Sequence, residues 1–375
     1  MQKKSIYLLL TLVGAILALA TSGGNDSFAN ALILASVMIF LWLTEAIPIY
    51  VTALLPFLIG VPLGVLDNSQ LAAAYGDKNV FLFLGGFIMA LSLEKWNVHK
   101  QVARMIIQAI GRSKPKILLG FMLSTALLSM WISNTATTLM MLPMALAILA
   151  VLPSDEKSKF PLFLLLSIAY SASIGGMATL VGSPPNIQMA GILSSNFEIE
   201  IDFMTWMKYG FPLTTLMIAI AYFFFYLFLG KERKEEAEEI DLSPKPWTSD
   251  QRKVLVTFLL VVGMWSFRKY LVQWTGIDFN DTTVALLGSL LLFIIPSSSG
   301  NLLEWKDTEK LPWGILILFG GGLALAKCLE ANGVISYLSA SFEYFAQWHY
   351  FLLLLVLIAI SIFGTELMSN LALVT

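Results

Sequence analysis

Two polar clusters interrupt long apolar stretches of this 375-residue chain. Ser133-Asn134-Thr135 lies midway through residues 117–152, a run of 36 residues without one Asp, Glu, Lys or Arg. Gly182-Ser183-Pro184-Pro185-Asn186 lies within residues 160–197, a run of 38 residues equally free of charge. Adjacent prolines remove two amide donors and cannot continue a helix. Hydroxyls, carboxamides and freed backbone groups in such a place are costly against lipid but useful beside an ion or a substrate. The plainer alternatives are a helix cap with inter-helix hydrogen bonds at Ser133-Asn134-Thr135 and a proline kink at residues 182–186. Cys328 is the sole cysteine, and His99 and His349 are far apart. That excludes an intramolecular disulfide, cysteine or histidine metal clusters, and thiol or imidazole chemistry.

The elements that must hold these clusters are membrane segments. Hydrophobic residues make up 57% of the chain and charged ones 13%, with a net charge of −2. Soluble domains carry about 25% charged residues. Apolar runs of 18 or more residues read as membrane spans. A soluble enzyme, a disordered chain and a nucleic-acid binder are excluded, since no basic domain is present to hold phosphates. Apolar segments fall at 28–47, 50–66, 79–94, 117–152, 160–197, 207–229, 253–273, 282–296, 311–329 and 350–375. Residues 6–20 read as an uncleaved first span rather than a signal peptide, because so many spans follow. Trp42, Trp96, Trp206, Trp274 and Trp313 fit interfacial belts.

Lys and Arg accumulate in cytoplasmic loops. With the N-terminus inside, the inner segments 1–5, 95–116, 153–159, 230–253 and 297–310 hold 18 of the 23 basic residues. The outer loop 198–202 is acidic. Residues 98–113 read as an amphipathic helix on the inner surface. Residues 230–252, rich in charge and then proline, form a cytoplasmic linker between two halves.

Two segments have the wrong length for simple spans. Basic residues flank 117–152 on both sides, so the chain enters and leaves on one face. Each arm around Ser133 is 16–17 residues, roughly 24 Å of helix. That is short for a ~30 Å hydrocarbon core, which favours a re-entrant helical hairpin. Residues 160–197 are too long for one unbroken crossing, and Gly175-Gly176 with residues 182–186 mark the break.

The sequence also repeats itself at an offset of 236. Gly85-Gly86 falls on Gly321-Gly322, and Ala90, Leu93, Glu94 and Val98 on Ala326, Leu329, Glu330 and Val334. Ser129 falls on Thr365, Ser133-Asn134 on Ser369-Asn370, and Ala136 on Ala372. The first hairpin opens inward and the second, after the base-free stretch 331–349, opens outward. The fold class expected is therefore an all-α polytopic membrane protein. It has an inverted-topology repeat with re-entrant hairpins and broken helices, the architecture of many secondary transporters. The first repeat spans 1–229 and the second 253–375. Residues 182–186 have no counterpart before Thr375, which predicts that the second repeat is C-terminally incomplete.

At SNTATT (133–138), GSPPN (182–186), TEAIP (44–48) and GTELMSN (364–370) the chain resembles the divalent-anion/sodium symporter family. Its members carry succinate, citrate, other dicarboxylates and sulfate. The resemblance covers essentially the whole chain. It implies that Ser133, Asn134 and Thr135 contact substrate from one tip, Ser369 and Asn370 from the other, with Ser183 and Pro184 beside them. It implies one sodium site at Ser129, Ser133, Asn134 and the Gly182 loop, and a second at Thr365, Met368 and Asn370. It further implies a homodimer in the plasma (inner) membrane, working by an elevator-like motion and needing no cofactor beyond the coupling ion. Leu371 departs from the family, which has Thr there, and removes one substrate hydroxyl from the second tip.

Residues 117–152 and 160–197 offer no basic side chain to a dianion. Helix N-termini, each worth roughly half a positive charge, and sodium held by oxygen ligands, by analogy with other hard cations, would replace one. The expected function is sodium-coupled uptake of a C4-dicarboxylate. Anion exchange and sulfate or citrate carriage are alternatives on the same fold. A channel would need only a symmetric pore filter. A membrane enzyme would need clustered His, Asp, Glu or Cys at the inner surface. The membrane subunit of a binding-protein-dependent carrier is a further alternative.

Overall fold

The computed structural model describes residues 7, 11, 14, 26–111, 113–151, 158–229, 246–342 and 349–367. The described residues are mostly helical, and among them one two-residue hairpin pairs Pro296–Ser297 with Gly300–Asn301. The expected first span falls outside the described residues except at positions 7, 11 and 14, and the linker is described only from residue 246. Residue contacts divide the chain into two units. One comprises residues 1–81, 188–200 and 312–375; the other comprises 82–187 and 201–311.

In the first unit, α1 (Ser27–Thr44) ends where Glu45 of the TEAIP motif takes a left-handed conformation, φ 43°. Short α2 (Ile49–Thr52) follows. Trp42 is buried, and its indole N–H donates to the Ile49 carbonyl at 3.1 Å. α3 (Asn68–Tyr75) begins in a capping box of Asp67 and Gln70. It packs on α14 (Trp313–Ala331), where a Cβ at Gly320 would collide with Tyr75 and one at Gly321 with Ala53. Small residues let helix backbones approach where no water is available to drive association. α15 (Val334–Phe342) and α16 (Tyr350–Leu367) complete the unit.

Helix α4 (Lys78–Lys95) and helix α9 (Pro184–Phe197) contribute residues to both units. The second unit contains α5 (Val98–Ile110), α6 (Lys114–Ser129), α7 (Asn134–Val151), α8 (Phe160–Gly175) and α10 (Phe203–Phe228). It also contains α11 (Ser249–Ser266), α12 (Arg268–Thr275) and α13 (Asp281–Ile294). The single apolar segment read at 253–273 is in fact two helices bent by 78° at Phe267. Among the described residues, four helices are long and apolar enough to cross a membrane, five if this bent pair is one span. The molecule is a multi-pass helical membrane protein.

The core of the second unit joins Ile117, Phe121 and Met122 of α6 to Met141 and Ala145 of α7, Leu164 and Ile168 of α8, and Phe225 of α10. α5 lies on α6, with Gly120 against Ile107. Helix α5 is amphipathic, but its inner face includes His99 and Gln101, both buried. His99 lies in contact with the Leu93 carbonyl, 3.2 Å from Nδ1.

The offset of 236 reappears in the element boundaries. α4, α5 and α6 begin at 78, 98 and 114; α14, α15 and α16 begin at 313, 334 and 350. The residue before the second helix of each trio is left-handed: Asn97 at φ 54° and Gly333 at φ 77°.

Candidate functional site

Helices α6 and α7 form a pair joined by residues 130–133, so Ser133-Asn134-Thr135 sits at the turn. The pattern of local bonds explains why the turn falls there. Ser133 Oγ accepts the Ala136 N–H at 3.3 Å, and the Ser133 carbonyl accepts that of Thr137 at 2.9 Å. Ser133 thus opens α7 as a hydroxyl cap, and Thr138 returns its hydroxyl to the Asn134 carbonyl at 2.8 Å.

The expected break in residues 160–197 is also present. α8 stops at Gly175, and Pro184 starts α9. A proline at the first helical position has no amide to leave orphaned. The intervening loop is held by Asn186, whose Nδ2 donates to the Gly176 carbonyl at 2.8 Å and to the Thr179 carbonyl at 2.9 Å. Asn186 and Thr179 are buried.

Two glycines let this loop meet the α6–α7 turn. A Cβ on Gly176 would sit on Asn134 Oδ1. One on Gly182 would lie 2.7 Å from the Gly176 carbonyl and 2.9 Å from that of Met130. The Thr179 hydroxyl donates to the Met130 carbonyl. Ser129, the last residue of α6, is fully buried. Its Oγ lies 2.8 Å from Asn134 Oδ1 and 2.7 Å from the Ala172 carbonyl.

Four helix ends therefore converge. The C-termini of α6 and α8 bring carbonyls, the negative pole of each helix; the N-termini of α7 and α9 bring the positive pole. Ser129 Oγ, Asn134 Oδ1 and the Ala172 carbonyl share one hydroxyl proton, leaving a surplus of lone pairs. Such a set suits a hard cation. An anion suits the adjoining N-termini. Ser133, Asn134, Ser183 and Pro184 are half-buried there and Thr135 is exposed.

Of the residues singled out by sequence, the structure thus brings together Ser129, Ser133, Asn134, Gly182, Ser183 and Pro184, with Thr135 on the same turn. Thr365 is exposed near the end of α16, its hydroxyl donating to the Ile362 carbonyl at 2.8 Å. Met368, Ser369, Asn370 and Leu371 lie outside the described residues. Sequence reasoning missed Thr179, Gly176 as the seat of Asn134, and the carbonyls of Met130 and Ala172. Only Gly175-Gly176 signalled them.

Comparison with known proteins follows the same lines. A family model described as citrate transporter matches residues 39–375. The chain is 38% identical over 356 residues to the sodium-dependent dicarboxylate transporter SdcS of Staphylococcus saprophyticus, covering 89% of this chain and 68% of that protein. It is 38% identical over 323 residues to the protein of the same name from Staphylococcus aureus (strain USA300), covering 79% of this chain and 61% of that one. The chain thus spans about two thirds of the length of these relatives.

Proposed function

We propose, from the premise that this chain belongs to the citrate transporter family, that it is a secondary carrier coupling sodium entry to uptake of a C4-dicarboxylate such as succinate. The family and these relatives are transporters, not enzymes. The relatives' names supply the substrate class and the ion. The observation that carries the reading in this chain is the one-proton, three-oxygen set of Ser129, Asn134 and Ala172, set against two helix N-termini.

In this reading sodium enters at Ser129, Ser133, Asn134 and the Gly182 loop. The Ser129 proton turns to the Ala172 carbonyl, so that both Ser129 Oγ and Asn134 Oδ1 offer lone pairs to the ion. Its full charge then makes up for the lack of any Lys or Arg in residues 117–151 and 160–197. A substrate carboxylate settles on the N-termini of α7 and α9, at Ser133, Asn134, Thr135, Ser183 and Pro184. The second carboxylate goes to Ser369 and Asn370 of the second tip. A second sodium goes to Thr365, Met368 and Asn370. The shared boundaries of α4–α6 and α14–α16 support an internal repeat; in this reading the repeat is inverted, and its re-entrant hairpins alternate access in an elevator-like motion. A homodimer with a cytoplasmic N-terminus in the inner membrane completes the reading.

Citrate is the second candidate substrate, favoured by the description of the family model. The deciding experiment is uptake of labelled succinate and citrate into proteoliposomes under a sodium gradient. Succinate uptake that disappears in choline, and in Asn134→Ala protein that still inserts, is the expected result. Uptake indifferent to sodium would overturn the reading.

A further inference from the structure

Trp131 lies two residues before Ser133, in the turn that presents the site. Its ring meets Phe258 edge-on at 4.8 Å and 87°, Phe203 at 5.9 Å and 25°, and Trp265 at 6.5 Å and 4°. Phe203 and Trp265 stack on each other at 4.5 Å. Ring pairs at these separations are favourable beyond the area they bury. The Trp131 side chain therefore fastens the turn, alongside the Thr179 hydroxyl on the Met130 carbonyl.

A single residue fixes two of those rings. Asp281 Oδ2 accepts the backbone N–H of Phe203 at 2.6 Å, and the Asp281 carbonyl accepts the indole N–H of Trp265 at 3.0 Å. Asn280 is the cap of α13 and accepts the Thr283 N–H, and Asp281 stands in the first turn of that helix. From there its carboxylate reaches the first residue of α10. Arg268 holds it in place. The Arg268 Nε lies 3.5 Å from Asp281 Oδ1, and its Nη2 lies 2.8 Å from Asp202 Oδ2. Asp202 Oδ1 in turn caps α10 through the Thr205 N–H at 2.7 Å.

We propose that Asp281, clamped by Arg268, is a positioning residue for the Ser133–Asn134 turn. It acts through the Phe203–Trp265 platform on Trp131 and touches neither ion nor substrate. The kinetic part of this inference rests on the transport reading; the structural part does not. Mobile coordinating groups at the turn would raise the concentrations of sodium and dianion needed, because the ligands would have to be ordered at the moment of binding.

The test compares Asp281→Asn, Trp131→Ala, Trp131→Phe and the Asp281→Asn/Trp131→Ala double variant with wild type. In proteoliposomes, Trp131→Ala raises the succinate KM about tenfold, by more than it lowers kcat. Trp131→Phe recovers most of that loss. Asp281→Asn raises KM in the same direction, and the double variant is no worse than Trp131→Ala alone, as expected for two groups acting in series. Amide hydrogen exchange on the purified protein is the second readout: residues 132–137 exchange faster in both single variants, while residues 160–172 are unchanged. This readout decides the point even if wild type takes up no succinate, which would count against the transport reading alone. Additive kinetic effects, or unaltered exchange at 132–137, would overturn the proposal.

Discussion

The Ser129 hydroxyl stands 2.8 Å from the Asn134 carboxamide oxygen and 2.7 Å from the Ala172 carbonyl, so one proton must serve three oxygens. The Ser129 hydroxyl has one hydrogen for two acceptors. In the proposed reading the cation takes the lone pairs that this hydrogen leaves unserved. Ser129→Ala removes a ligand while leaving the Asn134 and Ala172 oxygens in place. The expected outcome is roughly a tenfold rise in the sodium concentration for half-maximal uptake, a loss the size of one hydrogen bond to a charged group. Maximal uptake at saturating sodium changes much less. A sodium titration of succinate uptake measures both; an unchanged sodium curve would remove Ser129 from the ion site.

Gly176 allows Asn134 to reach the loop between α8 and α9, since a Cβ there would occupy the position of its Oδ1. Gly176→Ala should therefore destabilise the protein by about 1–3 kcal/mol, the usual penalty of overpacking, and abolish sodium-dependent uptake. Gly263 is the matched control. It lies inside α11 with nothing within 4 Å of its virtual Cβ. Gly263→Ala should stabilise slightly, by about 0.4–1 kcal/mol. Thermal unfolding in detergent compares the two. Equal melting temperatures would mean that the Gly176–Asn134 contact is not tight.

Much of this site was legible from residue type. The polar turn in an uncharged stretch announced the α6–α7 pair, and the paired prolines announced the start of α9. The 236-residue offset matches the starts of α5 and α6 to those of α15 and α16, whereas the left-handed Asn97 and Gly333 before α5 and α15 emerged only from the structure. What sequence could not yield were contacts made by the main chain. Nothing in an alanine at 172 or a methionine at 130 signals that its carbonyl is a partner. That depends on the register of α6 against α8, which Gly175 sets by letting Ala126 approach. The bend at Phe267 was equally hidden, because apolar composition runs straight through it. Polar residues such as His99 and Gln101, read as part of a surface helix, proved to be buried, because α5 packs its inner face on α6.

His99 gives the protein a pH dependence outside its membrane spans. Burial, the larger influence, and the neighbouring Lys100 push its pKa below the ordinary value of 6.5, against the smaller opposing effect of the Leu93 carbonyl. Nδ1–H donates to that carbonyl, and Nε2 has no hydrogen-bond partner among the described residues. The folded protein therefore keeps the ring neutral where the unfolded chain already takes up a proton. The stability this provides is complete above pH 6.5 and is lost as pH falls through the folded value. The expected result is a melting temperature that declines on acidification from pH 7, with a shallower decline in His99→Gln. Identical slopes in the two proteins would show that His99 is not the group responsible.

Asn186 distinguishes a hydrogen-bonding role from a ligating one. Its Nδ2 faces two carbonyls, those of Gly176 and Thr179. The residue thus acts as a donor tying the loop, and its amide nitrogen cannot ligate a cation. Asn186→Ala leaves both carbonyls without this donor in a buried place, which should destabilise the protein by about 1–3 kcal/mol. Asn186→Asp is nearly isosteric, yet it turns a donor into an oxygen facing two other oxygens. It should therefore be the worse of the two, in melting temperature and in uptake. If Asn186 were instead a cation ligand through its oxygen, the aspartate would bind sodium more tightly and outperform the alanine. Melting both variants with and without sodium separates the cases: Asp below Ala in both conditions is expected, and an Asp variant rescued above Ala by sodium would reverse the assignment.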